Sequence, residues 1–183
     1  MMNLASLRRY SRLFALFILC ALAISITGCD PTLNWREVRS NDAAYIALFP
    51  AKPTSFERAV NLDGFQVMMH MTAAEADGIN FAVATAVIED EAQRTKALTA
   101  MQTAMMRNIQ GEITERKNVA VKGSATATEI HATGKAGLTG TSLVLFARFV
   151  MHESRVYQVI ALGPKEKLTA ETGAIFLSSF AFE

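Results

Sequence analysis

Ile79-Asn80-Phe81-Ala82-Val83-Ala84-Thr85-Ala86-Val87-Ile88 is the stretch whose reading decides the fold. Side chains alternate across a strand, so Ile79, Phe81, Val83, Thr85 and Val87 share one face, and Ala82, Ala84, Ala86 and Ile88 share the other. Both faces are apolar, which suits a central strand with a layer packed on each side. Asp77-Gly78 just ahead of it signals a hairpin, because glycine accepts positive φ without steric cost. The same device recurs at Leu62-Asp63-Gly64, between extended runs at Thr54 to Asn61 and Phe65 to Ala74.

Beyond Ile88 the apolar period changes from two to about 3.6. Leu98, Met101, Met105 and Ile109 form one stripe, which predicts a helix within Glu89 to Gln110. Asp90 with Gln93 reads as its capping box and Gly111 as its stop. Ile113 to Val121 and Ala125 to Thr133 are strand candidates about Lys122-Gly123-Ser124. Ser142 to His152 and Arg155 to Leu162 form a further hairpin about Glu153-Ser154, which Gly163-Pro164 is expected to end. Glu166 to Ser178 reads as a second helix, with Leu168, Thr172, Ile175 and Phe176 inward, and Phe180-Ala181-Phe182 is expected to pack back on the sheet. Upstream, Ala44 to Phe49 reads as a strand halted by Pro50 and Pro53, which fix φ and remove amide donors. The fold class is therefore α+β: an antiparallel sheet of about six to eight strands built from hairpins, with one helix mid-chain and one near the C-terminus packing on it.

The residues that usually carry chemistry are thinly spread. His70, His131 and His152 have no other His or Cys at ligand spacing, so no metal site is expected. Met68, Met69, Met71, Met101, Met105 and Met106 are numerous, but methionine is flexible core filler, and packing is the expected role. No serine lies in a G-x-S-x-G turn. Glu89-Asp90-Glu91 clusters where a helix begins and negative charge offsets the macrodipole. Gly134-Lys135-Ala136-Gly137-Leu138-Thr139-Gly140 lacks the helix that a phosphate-binding loop needs behind it, so it reads as a flexible loop. Neither a catalytic group nor a cofactor is expected.

The N-terminal residues are of a different kind. Arg8, Arg9 and Arg12 precede an apolar run from Leu13 to Ile26, 14 residues long. That is short of the roughly 20 needed to span a bilayer core as a helix, and it matches the n-region and h-region of a secretory signal. The arginines match a twin-arginine export signal poorly. Ile26-Thr27-Gly28-Cys29 then resembles the lipobox of bacterial lipoproteins, in which the chain is cut before the cysteine and the cysteine is acylated. The resemblance implies a covalent diacylglycerol and an N-acyl lipid on Cys29, and membrane attachment through them. A cysteine closing an uncleaved signal anchor, or a free thiol beside an ordinary cleavage site, is the competing reading. Asp30 resembles the signal that retains such proteins in the inner membrane of enteric bacteria. The expected location is its periplasmic face, with the outer membrane as the alternative.

On this reading residues 1–28 are a cleaved signal, 29–43 a lipid-bearing tether and 44–183 a single domain. Trp35, within the tether, is expected to dock on the edge of the core or to lie near lipid headgroups. The signal takes three arginines and no acid, leaving 15 basic against 17 acidic residues. That balance speaks against nucleic acid, which needs a basic stripe to displace counterions. Cys20 leaves with the signal and Cys29 is acylated, so no disulfide is expected and the core alone must hold the domain.

In order, Leu48-Phe49-Pro50-Ala51-Lys52-Pro53, Tyr157-Gln158-Val159-Ile160-Ala161-Leu162-Gly163-Pro164 and Phe176-Leu177-Ser178-Ser179-Phe180 make residues 44–183 resemble the PsbP-like superfold. This is the α/β/α sandwich of the photosystem II extrinsic subunit and of the Ran-binding nuclear import factor. The resemblance implies binding or assembly rather than catalysis, and no functional residue is transferred from those proteins. The expected function is that of a non-enzymatic envelope lipoprotein that binds an unidentified envelope protein. The alternative is a periplasmic carrier of a small apolar ligand or lipid in a Met-lined pocket.

Overall fold

Both Asp-Gly dipeptides turn as the hairpin reading requires. Asp63 and Gly64 have φ of 51° and 96°, and Asp77 and Gly78 of 53° and 73°. Two consecutive positive φ values give a turn whose twist matches that of the flanking strands. In the computed structural model, which describes residues 32–122, 126–137 and 140–183, these turns join β3 (Thr54–Leu62), β4 (Phe65–Ala76) and β5 (Ile79–Val87). Ahead of them lie β1 (Arg36–Arg39) and β2 (Tyr45–Phe49). After β5 come helix α1 (Glu91–Asn108), strands β6 (Glu112–Ala120), β7 (Thr126–Ala136), β8 (Thr141–His152) and β9 (Arg155–Pro164), helix α2 (Ala170–Ser179) and β10 (Ala181–Phe182).

Seven strands form one antiparallel sheet in the order β3-β4-β5-β9-β8-β7-β6. Strand β5 is interior, and its two faces feed two separate cores. Ile79, Phe81 and Val83 pack with Tyr45, Phe49, Phe176 and Phe180 on one side. Ala84 and Ala86 pack with Ala97, Met101 and Ile109 on the other. The sheet is thus the middle of three layers, with α1 on one face and α2 with a small second sheet on the other. The fold is α+β, mostly antiparallel sheet, with one helix mid-chain and one near the C-terminus.

The second sheet, of order β1-β2-β10, is absent from the sequence reading. Strand β1 is polar and exposed, so no alternation marked it. It lies within the segment expected as a tether, and the folded body begins ahead of Ala44. Trp35 sets its ring edge-on to Phe81 at 5.6 Å, as the docked reading expected. The terminal Phe180-Ala181-Phe182 does pack back on the large sheet, with Phe180 and Phe182 against Tyr157 of β9, while its backbone pairs with β2.

Four local expectations are corrected. Strand β9 runs two residues past Leu162 and ends on Pro164 itself; pairing with β5 stops at Leu162, so Pro164 has a neighbour only in β8 and its missing amide costs little. Gly134 to Ala136 belong to β7, where they pair with Thr141 to Leu143, and not to a loop. The residue that turns left-handed after α1 is Gln110, with φ of 47°, and not Gly111. Gln110 N donates to Arg107 O and Gly111 N to Met106 O, the paired bonds of a Schellman cap. Gly111 is needed for space, since a Cβ there would stand 2.5 Å from Thr133 O. Finally, α2 starts at Ala170, capped by Thr169 Oγ1, which accepts from Thr172 N. Its inward residues are Gly173, Phe176 and Leu177, while Ile175 points to solvent. A Cβ on Gly173 would lie 2.4 Å from the Phe146 ring, so glycine is what lets the helix approach the sheet.

Candidate functional site

Ile26, Thr27, Gly28, Cys29 and Asp30, where the sequence places lipidation and sorting, lie outside the described residues. Among the described residues, a groove at one sheet edge and a charged cluster under α2 stand out, beside a smaller hollow of about 360 Å³ between Gln110, Lys135 and Lys165.

The groove has a volume of about 520 Å³ and lies between the end of β3 and the flank of α1. Helix α1 begins as its sequence predicts, with Asp90 Oδ1 accepting from Gln93 N at 2.7 Å. Its apolar stripe turns Met101 and Ala97 into the core, with Leu98, Met105 and Met106 packed at the margin. Thr99, Ala100, Thr103 and Ala104 lie beside that stripe and form the helical wall of the groove. Val60 and Leu62 close it from β3. The wall is made of short side chains, which is why space remains there. Lys96 and Arg107 stand at its two ends, and Asp63 marks its rim. No methionine lines the groove, and Met69 and Met101 are buried in the core. Met71, Met105 and Met106 pack against that core, whereas Met68 is 50% exposed, so the packing expectation holds for five of the six. The small-residue repeat at 99, 100, 103 and 104 is visible in the sequence but carries little hydropathy to mark it.

The charged cluster is built on cross-strand register. Glu129 pairs with Arg148 across β7 and β8, and with Lys117 across β7 and β6, so all three side chains share a face. Arg148 donates through Nε and Nη2 to Glu129 Oε2 at 3.2 and 2.7 Å, and through Nη1 to Leu177 O in the last turn of α2 at 2.8 Å. The guanidinium therefore meets a carboxylate and the negative end of a helix at once. Burial on its own would raise the Glu129 carboxyl; the bonds from Arg148 and Lys117 together outweigh it and hold the group below the usual carboxylate range. Lys117 is pushed up, first by Glu115 and then by Glu129. This cluster fastens α2 to the sheet, and its members are engaged with one another. Its sequence signal was a lone arginine inside the apolar run Leu143 to Met151, since a buried charge demands a partner.

The three histidines stand on separate elements with separate partners. His70 Nδ1 lies 3.3 Å from Glu57. His131 lies 2.9 Å from Glu115 and 3.3 Å from Glu129, with its ring edge-on to Phe146. His152 stacks on Phe182 at 4.1 Å. Among the described residues no group of three or more His, Cys, Asp or Glu side chains is placed to hold a metal ion. Compared with protein-family models and with curated proteins, the chain matches none.

Proposed function

We propose that this chain is a bacterial envelope lipoprotein, held on the periplasmic face of the inner membrane by lipid on Cys29, with a non-enzymatic body that binds another envelope protein. The outer membrane is the alternative location. The observation that carries the proposal is the order of the N-terminal features: three arginines, a short apolar run, Ile26-Thr27-Gly28, Cys29, then Asp30. The first two send a chain through the translocon and the last three match the site of acylation and retention. A single acyl chain holds a protein only reversibly, at about 0.8 kcal/mol per buried CH₂, and the diacylglycerol with N-acyl chain that the motif implies holds it stably. The body suits a binding role of the PsbP-like kind because its buried charged cluster is paired internally while, among the described residues, a groove and a sheet edge stay open.

The test is intact mass together with palmitate labelling of the chain from bacterial membranes, native and Cys29→Ala. The expected product begins at Cys29, carries two or three acyl chains and stays with the membrane, while Cys29→Ala takes no label. A water-extractable native product with a different N-terminus would refute the proposal.

A further inference from the structure

The two edges of the seven-stranded sheet are treated differently. Strand β6 carries a register shift between Ile113 and Glu115 and four charges, Glu112, Glu115, Arg116 and Lys117, devices that close an edge to further pairing, whereas β3 has no shift and two charges, Glu57 and Arg58. Strand β3 pairs with β4 through nine consecutive residues without a shift, it is exposed along most of its length, and its Phe56 ring is 47% exposed. Among the described residues no strand pairs with its outer side. The groove of about 520 Å³ opens where this strand ends against α1. An added strand gains main-chain hydrogen bonds from such an edge, and a groove beside it takes alternate side chains and gives selectivity.

Building on the protein-binding reading above, we infer that an extended segment of a partner protein adds to the β3 edge and lays alternate small apolar side chains into the groove, with acidic residues toward Lys96 and Arg107. Charge decides the class of partner. The groove lining carries two cations, Lys96 and Arg107, neither in an ion pair among the described residues, against one acid, Asp63, so its net charge favours an acidic occupant. The two cations stand eleven positions apart on the helix, a rise of about 16 Å, which about five residues of extended chain would span. The short wall of Thr99, Ala100, Thr103 and Ala104 sets the size of the side chains that fit.

The test uses the full lipidated chain in its membrane, with a photo-crosslinking residue at Arg58 or Thr103, and at Lys117 or Ile175 as controls. The sequence crosslinked is then made as a synthetic peptide and added to the chain during hydrogen exchange. The inference expects one and the same partner segment from Arg58 and Thr103, and slowed exchange at alternate amides of β3 when the peptide binds. It expects roughly tenfold weaker peptide binding after Ala104→Trp, which fills the groove, and after Lys96→Glu with Arg107→Glu, which opposes acidic residues. Crosslinks to protein only from Lys117 or Ile175 would overturn the inference and leave the protein-binding reading standing. Crosslinks from none of the four positions would overturn both. Crosslinks only to a second copy of this chain, or peptide binding that leaves β3 exchange unchanged, would also overturn the inference.

Discussion

Replacing Arg148 with methionine tests whether the cluster under α2 holds the two layers together. The substitution keeps most of the side-chain length and removes three hydrogen bonds, two to Glu129 and one to Leu177 O. Glu129 and Arg148 are each only 7% exposed, so the carboxylate is left buried and short of its main partner. Breaking a buried pair in this way costs about 3–5 kcal/mol. Lys117 Nζ still reaches Glu129 at 3.2 Å, which puts the expectation at the lower end of that range. For a chain of this size a loss of about 3 kcal/mol lowers the melting temperature by 6–12 °C. The sign with pH follows from Glu129, whose folded value lies below its unfolded one. Its contribution is complete above the unfolded value of about 4.3 and is lost as pH falls through the folded value, so the gap between native and Arg148→Met should narrow on acidification. Urea unfolding of the Cys29→Ala chain, followed by the fluorescence of Trp35, the only tryptophan, reads both effects. Glu129→Leu combined with Arg148→Met should recover most of the loss, because no charge is then stranded. A single variant as stable as native at pH 7, or a double variant no better than the single, would refute the reasoning.

Gly134→Ala should destabilise by about 1–3 kcal/mol, since its Cβ would lie 2.4 Å from Ile109 O, which already accepts from Lys135 N at 2.7 Å; urea midpoints check it. Asp90→Ala removes the cap of α1 and should cost about 1 kcal/mol, seen by the same assay, with Asp90→Ser retaining most of the stability. The phenols of Tyr45 and Tyr157 are both pushed up, chiefly by burial, so each stays protonated in the folded chain above pH 10 while the unfolded chain ionises. Stability should therefore fall as pH rises through that range, and the phenolate absorbance of these two residues should appear with unfolding; Tyr45→Phe should shift the alkaline transition upward in pH.

The sequence made the large sheet legible because its signals are local. Asp63-Gly64 and Asp77-Gly78 can turn in few other ways, and the alternation from Ile79 to Val87 needs no knowledge of its neighbours. Helix α1 was legible for the same reason, through Asp90 and the stripe from Leu98 to Ile109. What stayed hidden depended on distant partners. Strand β1 has no apolar face and exists because β2 offers it an edge. Gly163 reads as a breaker until Ile79 is seen 2.9 Å from where its Cβ would stand. Gly173 carries no hydropathy signal, yet it decides which face of α2 meets Phe146. The groove needed the β3 turn and α1 brought together, two segments more than 30 residues apart in the chain.

That separation bears on where binding can reside in such a body. Arg148, Glu129 and Lys117 are charged, clustered and next to histidine, the features by which a site is usually sought. Their geometry is closed: the donors of Arg148 are spent on Glu129 and on the end of α2, and a ligand entering there would have to break a bond for each one it made. The β3 edge has the opposite character. Its outer side pairs with no strand among the described residues, so a partner strand adds bonds there without displacing any. The proposed lipid anchor would make a low-affinity edge sufficient, because confinement to one membrane raises the effective concentration of a co-anchored partner. The same arithmetic gives the anchor a cost to lose: Cys29→Ala should leave the groove and its peptide affinity intact while abolishing the crosslinks formed in the membrane.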